Sequence, residues 1–96
     1  MEEIKQELLE LGFDVDSIGI KYWADAIKYI KENPEKWDTC DIYDRVAKEN
    51  NTRYFNVERA MRHSITPARE NIQTKYGYYK KIKNSTFLNL IRFKLI

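Results

Sequence analysis

Ninety-six residues, 43% hydrophobic and 33% charged, suit one soluble domain with a modest core, and only three glycines and two prolines favour long regular elements. A single cysteine, Cys40, excludes an internal disulfide, and no apolar run approaches the roughly 18–20 residues of a membrane span, so a reducing, cytoplasmic setting is expected. The net charge of +2 hides two opposite halves: residues 1–52 hold 7 Lys/Arg and 13 Asp/Glu, and residues 53–96 hold 10 and 2.

The expected fold is all-α, a compact bundle of about five to six helices forming one domain over residues 1–96. The glutamate-rich N-terminus is unlike a secretory signal. Residues 2–11 read as a short helix, with Ile4, Leu8 and Leu11 on its buried side and Gly12 as its stop. Phe13, Val15 and Ile18 form an apolar bridge among acidic residues. A second helix spans about residues 19–32, where Ile20, Trp23, Ile27 and Ile30 recur at spacings of three and four with Ala26 beside them. Asn33-Pro34 ends it, because a residue before proline resists the helical region. Trp37, in the loop 34–38, is expected to pack back onto that helix.

Residues 40–65 read as two helices joined by a tight polar turn, a helix-turn-helix. The first, 40–49, has Ile42, Val46 and Ala47 as its apolar stripe and Thr39 as its expected N-cap. Asn50-Asn51 is the turn, since Asn tolerates the left-handed conformation that ends a helix. Thr52 is expected to cap the second helix, 53–65. There Val57, Ala60, Met61, Ser64 and Ile65 share one side, while Asn56, Arg59, Arg62 and His63 cover the rest and Arg53 stands at the N-terminal end. A basic, amide-bearing face suits the DNA major groove: Arg donates twice to guanine O6 and N7, and Asn pairs with adenine N6 and N7. An ordinary amphipathic helix with a solvated basic face has the same pattern.

Thr66-Pro67 should end or bend this helix near Ile65. Residues 68–75 read as a further short helix. Tyr76, Tyr78 and Tyr79 then flank Gly77 in a turn with three exposed aromatics, followed by Lys80, Lys81 and Lys83. Ser85 is expected to cap a last helix from residue 86 to the end, with Phe87, Leu88, Ile91 and Leu95 as its apolar stripe and Arg92 and Lys94 on its polar side. Basic charge thus begins at the basic-faced helix and continues to the end, as in a polyanion-binding surface. A fold that neutralises one half against the other is the alternative.

Catalytic chemistry finds little support. His63 is the only histidine and Cys40 the only cysteine, so a zinc site of about four Cys/His ligands is excluded. A Cys-His pair has no evident orienting group, and neither a Gly-rich phosphate loop nor a serine nucleophile motif is present. No enzyme activity and no cofactor are expected.

Ile42-Tyr43, Val46-Ala47-Lys48, Asn51-Thr52 and above all Val57-Glu58-Arg59-Ala60-Met61-Arg62-His63-Ser64-Ile65 resemble a known family, the C-terminal DNA-binding domain of the master sporulation response regulator of endospore-forming bacteria. Ile18-Gly19 with Tyr22 and Ala26-Ile27 is similar to its first block, and Asn84-Ser85-Thr86-Phe87 to the opening of its last helix. The resemblance implies about six helices around a central helix-turn-helix, duplex DNA as partner, and binding as tandem copies or a homodimer on adjacent sites. It implies that Glu58 and Arg59 read bases, with Arg62 and His63 continuing the motif. This sequence departs where the family has Arg before the valine and here stands Asn56, in a shortened stretch interrupted by Pro67, and in having no receiver domain before the helices. A stand-alone regulator is the expectation if Met1 is the natural start.

The resulting expectation is a sequence-specific duplex-DNA-binding regulator with Arg53, Asn56, Glu58, Arg59, Arg62 and His63 facing the groove and Lys75, Lys80, Lys81 and Lys83 as phosphate contacts. The competing expectation is a protein-interaction module, or a phage or mobile-element inhibitor on the same scaffold, using the acidic Glu2, Glu3, Glu7 and Glu10. Neither involves a membrane or a small-molecule substrate.

Overall fold

The structure of the protein, a computed structural model, describes residues 2–95 and the side chains of residues 3–94. The acidic Glu2 and the Leu95 assigned to the last apolar stripe therefore have side chains outside the described residues. Six α-helices follow one another: α1 Glu2–Leu11, α2 Gly19–Glu32, α3 Thr39–Glu49, α4 Tyr54–Ile65, α5 Arg69–Tyr76 and α6 Asn84–Leu95. One 3-10 turn, Thr66–Ala68, joins α4 to α5, and no strand occurs among the described residues. The all-helical bundle expected from the spacing of apolar residues is the fold found.

α2 is the central post. Trp23, Ala24, Ala26 and Ile30 on it are fully buried, and α1, α3, α4 and α6 all pack against it. Phe13, Trp23 and Phe87 form an aromatic cluster with ring centroids 5.3–5.6 Å apart, joining the α1–α2 connection to α2 and α6. Trp37 packs back on α2 as expected, its ring 6.1 Å from Tyr29.

Local chemistry explains the element ends. Gly12 adopts φ +94° after α1 and lets Phe13 N–H reach the Leu8 carbonyl at 3.1 Å, a left-handed stop that an L side chain resists. α2 ends where Asn33, pushed to φ −157° by Pro34, leaves the helical region. The bridge from α1 to α2 is not apolar throughout. Phe13 is buried, but Val15 and Ile18 are 62% and 58% exposed. Their segment turns tightly through Asp14 Oδ1 accepting from Asp16 N–H and Ser17 Oγ accepting from Gly19 N–H, both at 3.0 Å, and the turn leaves only Phe13 in reach of the core.

Three caps differ from expectation. Asp38, not Thr39, caps α3, its Oδ1 accepting from Asp41 N–H at 2.8 Å, because the helix begins one residue earlier. Arg53 occupies the N-cap position of α4 in extended conformation (φ −102°, ψ 150°) without a side-chain cap, while Thr52 Oγ1 accepts from the Asn56 side chain at 3.2 Å instead of from the backbone. α6 begins at Asn84, with Phe87 N–H bonded to the Lys83 carbonyl at 3.1 Å, so Ser85 lies inside its first turn. The three tyrosines also divide. Tyr76 and Tyr78 are half-buried against the core and only Tyr79 is exposed, because Gly77 (φ +65°) folds the chain back and Tyr78 N–H closes onto the Gln73 carbonyl.

Candidate nucleic-acid interface

The α3–α4 connection is held from both sides. Asn51 takes φ +52°, which brings Thr52 N–H to the Ala47 carbonyl at 3.0 Å and Asn51 N–H to the Lys48 carbonyl at 3.4 Å. This is the paired closure of a helix end, with Asn in the place glycine usually takes. Asn50 ties the turn to α2: its Nδ2 donates to Asp25 Oδ2 at 3.1 Å and to the Val46 carbonyl at 2.8 Å, and its Oδ1 accepts from Lys21 Nζ. At the far side, Tyr43 and Tyr54 meet edge-on with centroids 5.2 Å apart, and Tyr54 donates to Cys40 Sγ at 3.5 Å. That hydrogen bond to the thiol pushes the Tyr54 hydroxyl up to about 12.

α4 rests on α2. Val57, Met61, Ser64 and Ile65 are buried, and the Trp23 indole donates to the Met61 carbonyl at 2.9 Å inside the core. Gly19 permits the closest approach: a Cβ there would collide with the Ala60 carbonyl oxygen and lie 2.7 Å from Ser64 Cβ. The position of α4 therefore depends on the absence of one methyl group. The opposite side of α4 is open, with Arg53, Phe55, Asn56, Arg59, Arg62 and His63 all exposed.

The expected site residues fall into three groups. On the outer side of α4, the Arg59 guanidinium lies over the Phe55 ring at 5.2 Å. Glu58 is half-buried and pairs with Arg62 at 3.4 Å, so these two partly neutralise each other. Asn84 at the start of α6 donates from Nδ2 to the Glu58 carbonyl at 3.1 Å, tying α6 to the middle of α4. The second group sits beside it. Lys81 and Lys83 line an open cavity of about 310 Å³ with Tyr43, Glu58, Arg62 and Arg69, so the α5–α6 connection and α4 share one basic surface. Burial among these neighbours pushes the Tyr43 hydroxyl up. Lys80 is exposed nearby in sequence, its backbone carbonyl anchored by Gln73 Nε2 at 3.0 Å.

The third group is Lys75 alone. It pairs with Glu7 of α1 at 3.0 Å, and that hydrogen bond raises its pKa. It flanks the acidic side of the molecule, by Glu3, Gln6 and Glu10, and is not gathered with α4. Two residues on the surface escaped the sequence reading. Phe55 stands four residues before Arg59, the spacing that shares a helix face, and Arg69 opens the helix after Pro67. The first was legible from that spacing; the second depended on how the turn at Thr66–Ala68 redirects the chain. Among the described residues no cluster of three or more His, Cys, Asp or Glu is placed to hold a metal ion, and no helix is long and apolar enough to cross a membrane.

Such contacts define a small all-helical domain that buries one side of α4 and holds its basic, aromatic-edged side outward. Over residues 4–95 the sequence matches the family described as Sporulation initiation factor Spo0A C terminal, and the chain belongs to that family. It is a family of DNA-binding domains of a sporulation response regulator, which places this chain in DNA-binding transcription regulation.

Proposed function

We propose that the chain is a sequence-specific duplex-DNA-binding regulator in which α3, the Asn50-Asn51 turn and α4 act as a helix-turn-helix and α4 enters the major groove. The observation that carries this is the division of α4: four positions locked into the core, and Asn56, Arg59, Arg62 and His63 exposed on the other side, with Arg53 exposed at the N-cap. Among the described residues neither Arg53 nor Arg59 has a carboxylate at ion-pair distance, so both forks are available to base edges or phosphates. Glu58, held by Arg62, can accept from a cytosine amino group at the edge of the same footprint. Lys80, Lys81, Lys83 and Arg69 supply positioning contacts to the backbone, which set register without reading sequence. Lys75 is left out of this set because it lies on the acidic side of the molecule with Glu3, Glu7 and Glu10, away from α4.

The Lys75–Glu7 pair also weakens the competing reading, an acidic docking surface on α1, since it removes one of that surface's charges. Occupancy by two copies on adjacent half-sites belongs to the proposal and is read from duplexes carrying one site or two.

The test is selection from a randomised duplex pool, followed by affinities for the selected and a scrambled sequence across a salt series. A sequence-reading domain gives a large affinity ratio with a steep negative salt slope. Lys83→Ala is expected to weaken both duplexes alike and flatten the slope by about one unit. No enrichment and equal, weak affinities overturn the proposal.

A further inference from the structure

Phe55 is the residue on the α4 surface with no role in the scheme above. The residue is 61% exposed, although a phenyl group in water forgoes the burial that favours aromatic side chains. It lies about 160° around the helix from the buried Val57 and Arg59 lies about 200° from it, so both stand on the side of α4 away from the core. They are also in contact, the guanidinium lying over the ring at 5.2 Å. A cation held over an aromatic face loses rotational freedom before any ligand arrives, which leaves less to lose on binding.

Resting on the DNA-binding reading, we propose that Phe55 and Arg59 act as one reader of a thymine–guanine step, the arginine fork on guanine O6 and N7 and the phenyl ring on the 5-methyl group of the neighbouring thymine. The thymine methyl is the apolar feature of the major-groove edges, and Phe is among the side chains that contact it. Four residues of helix rise about 6 Å and one base step about 3.4 Å, so groups one turn apart that lean on each other address adjacent base pairs. The preference is a property of this chain's own pair of side chains, since it needs an exposed ring one turn before the arginine.

The test begins with pool selection on the wild-type protein and on Arg59→Ala. The base pair whose preference disappears in Arg59→Ala marks the arginine contact. It is expected to be G·C with a thymine beside it on either strand. That thymine is then replaced by deoxyuridine, which removes only the methyl group. Wild-type affinity is expected to fall roughly threefold to fivefold, the effect of one lost buried methyl. Phe55→Ala is expected to bind the thymine and deoxyuridine duplexes equally, with unchanged thermal unfolding and an unchanged salt slope on random DNA. The inference is overturned by a selected site lacking that thymine, by a wild-type protein indifferent to the methyl, by a Phe55→Ala variant that still senses it, or by loss of self-association in Phe55→Ala, which makes the ring a copy-to-copy contact. A pool with no enriched sequence overturns the DNA reading itself, and this with it. An enriched site indifferent to the methyl overturns this inference alone.

Discussion

α2 and α4 are both amphipathic helices by their sequences, and the structure uses them oppositely. α2 turns eight of its fourteen residues into the core, including Tyr22, Ala24 and Tyr29, which lie off its main apolar stripe. α4 turns in only four of twelve. α2 is packed on several sides by other helices and fixes the geometry. α4 is packed on one side and presents the other. The contact between them is specific: Trp23 donates to the Met61 carbonyl, and Gly19 lets the two backbones approach. A presenting helix with few buried side chains therefore takes its rigidity from the post it leans on.

The comparison breaks most completely at Trp23. Trp23→Ala removes the largest fully buried side chain and the donor to α4, and is expected to destabilise the fold by about 3–5 kcal/mol in denaturant unfolding. Trp23→Phe keeps most of the ring and is expected to cost less, with DNA affinity falling only if the indole bond positions α4. Next is Gly19→Ala, expected at about 1–3 kcal/mol because backbone, not a flexible side-chain end, stands in the way. Unaltered stability there would show that the two helices can separate at no cost. Arg59→Ala sharpens the contrast from the presenting side: unfolding free energy is expected within about 0.5 kcal/mol of wild type, while discrimination at one base position falls by about 1–3 kcal/mol in competition binding. Equal losses on selected and random DNA would remove Arg59 from base reading.

The smallest effect is expected at Lys75→Ala, at most about 1 kcal/mol of stability, because both partners of its ion pair are more than a third solvent-exposed. Its sign follows from the raised lysine pKa. The folded state holds the proton more tightly than the unfolded chain, so the contribution is present at neutral pH and is lost as pH rises through the alkaline range of lysine titration. DNA affinity of this variant should match wild type; a clear loss would return Lys75 to the phosphate-contact set.

Much of the fold is legible in the sequence. The three-and-four spacing of Trp23, Ile27 and Ile30 and the stop at Asn33-Pro34 define α2 because helix periodicity and proline sterics are local. Asn51 was readable as a turn residue for the same reason, and it is the one non-glycine residue with positive φ among those described. Helix starts were less legible. Asp38, Thr39, Thr52 and Ser85 are all competent caps by type, and which one serves depends on where each helix begins, a matter of one residue set by packing.

What the sequence determined by itself is therefore what neighbours within a turn or two can decide: helices, their breaks, the motif from Val57 to Ile65 on which the resemblance rested, and the basic character of the chain's second half. Tertiary structure alone decided how charges are allotted. Lys75 and Lys83 are equivalent in a sequence, yet one meets Glu7 across the fold, 68 positions away along the chain, and the other joins Arg62 and Arg69 beside α4. It likewise decided that Val15 and Ile18 face solvent while Tyr76 and Tyr78 are half-buried against the core. Coulomb attraction and burial act on distance in space, and the chain brings these groups near or keeps them apart only once the helices have packed.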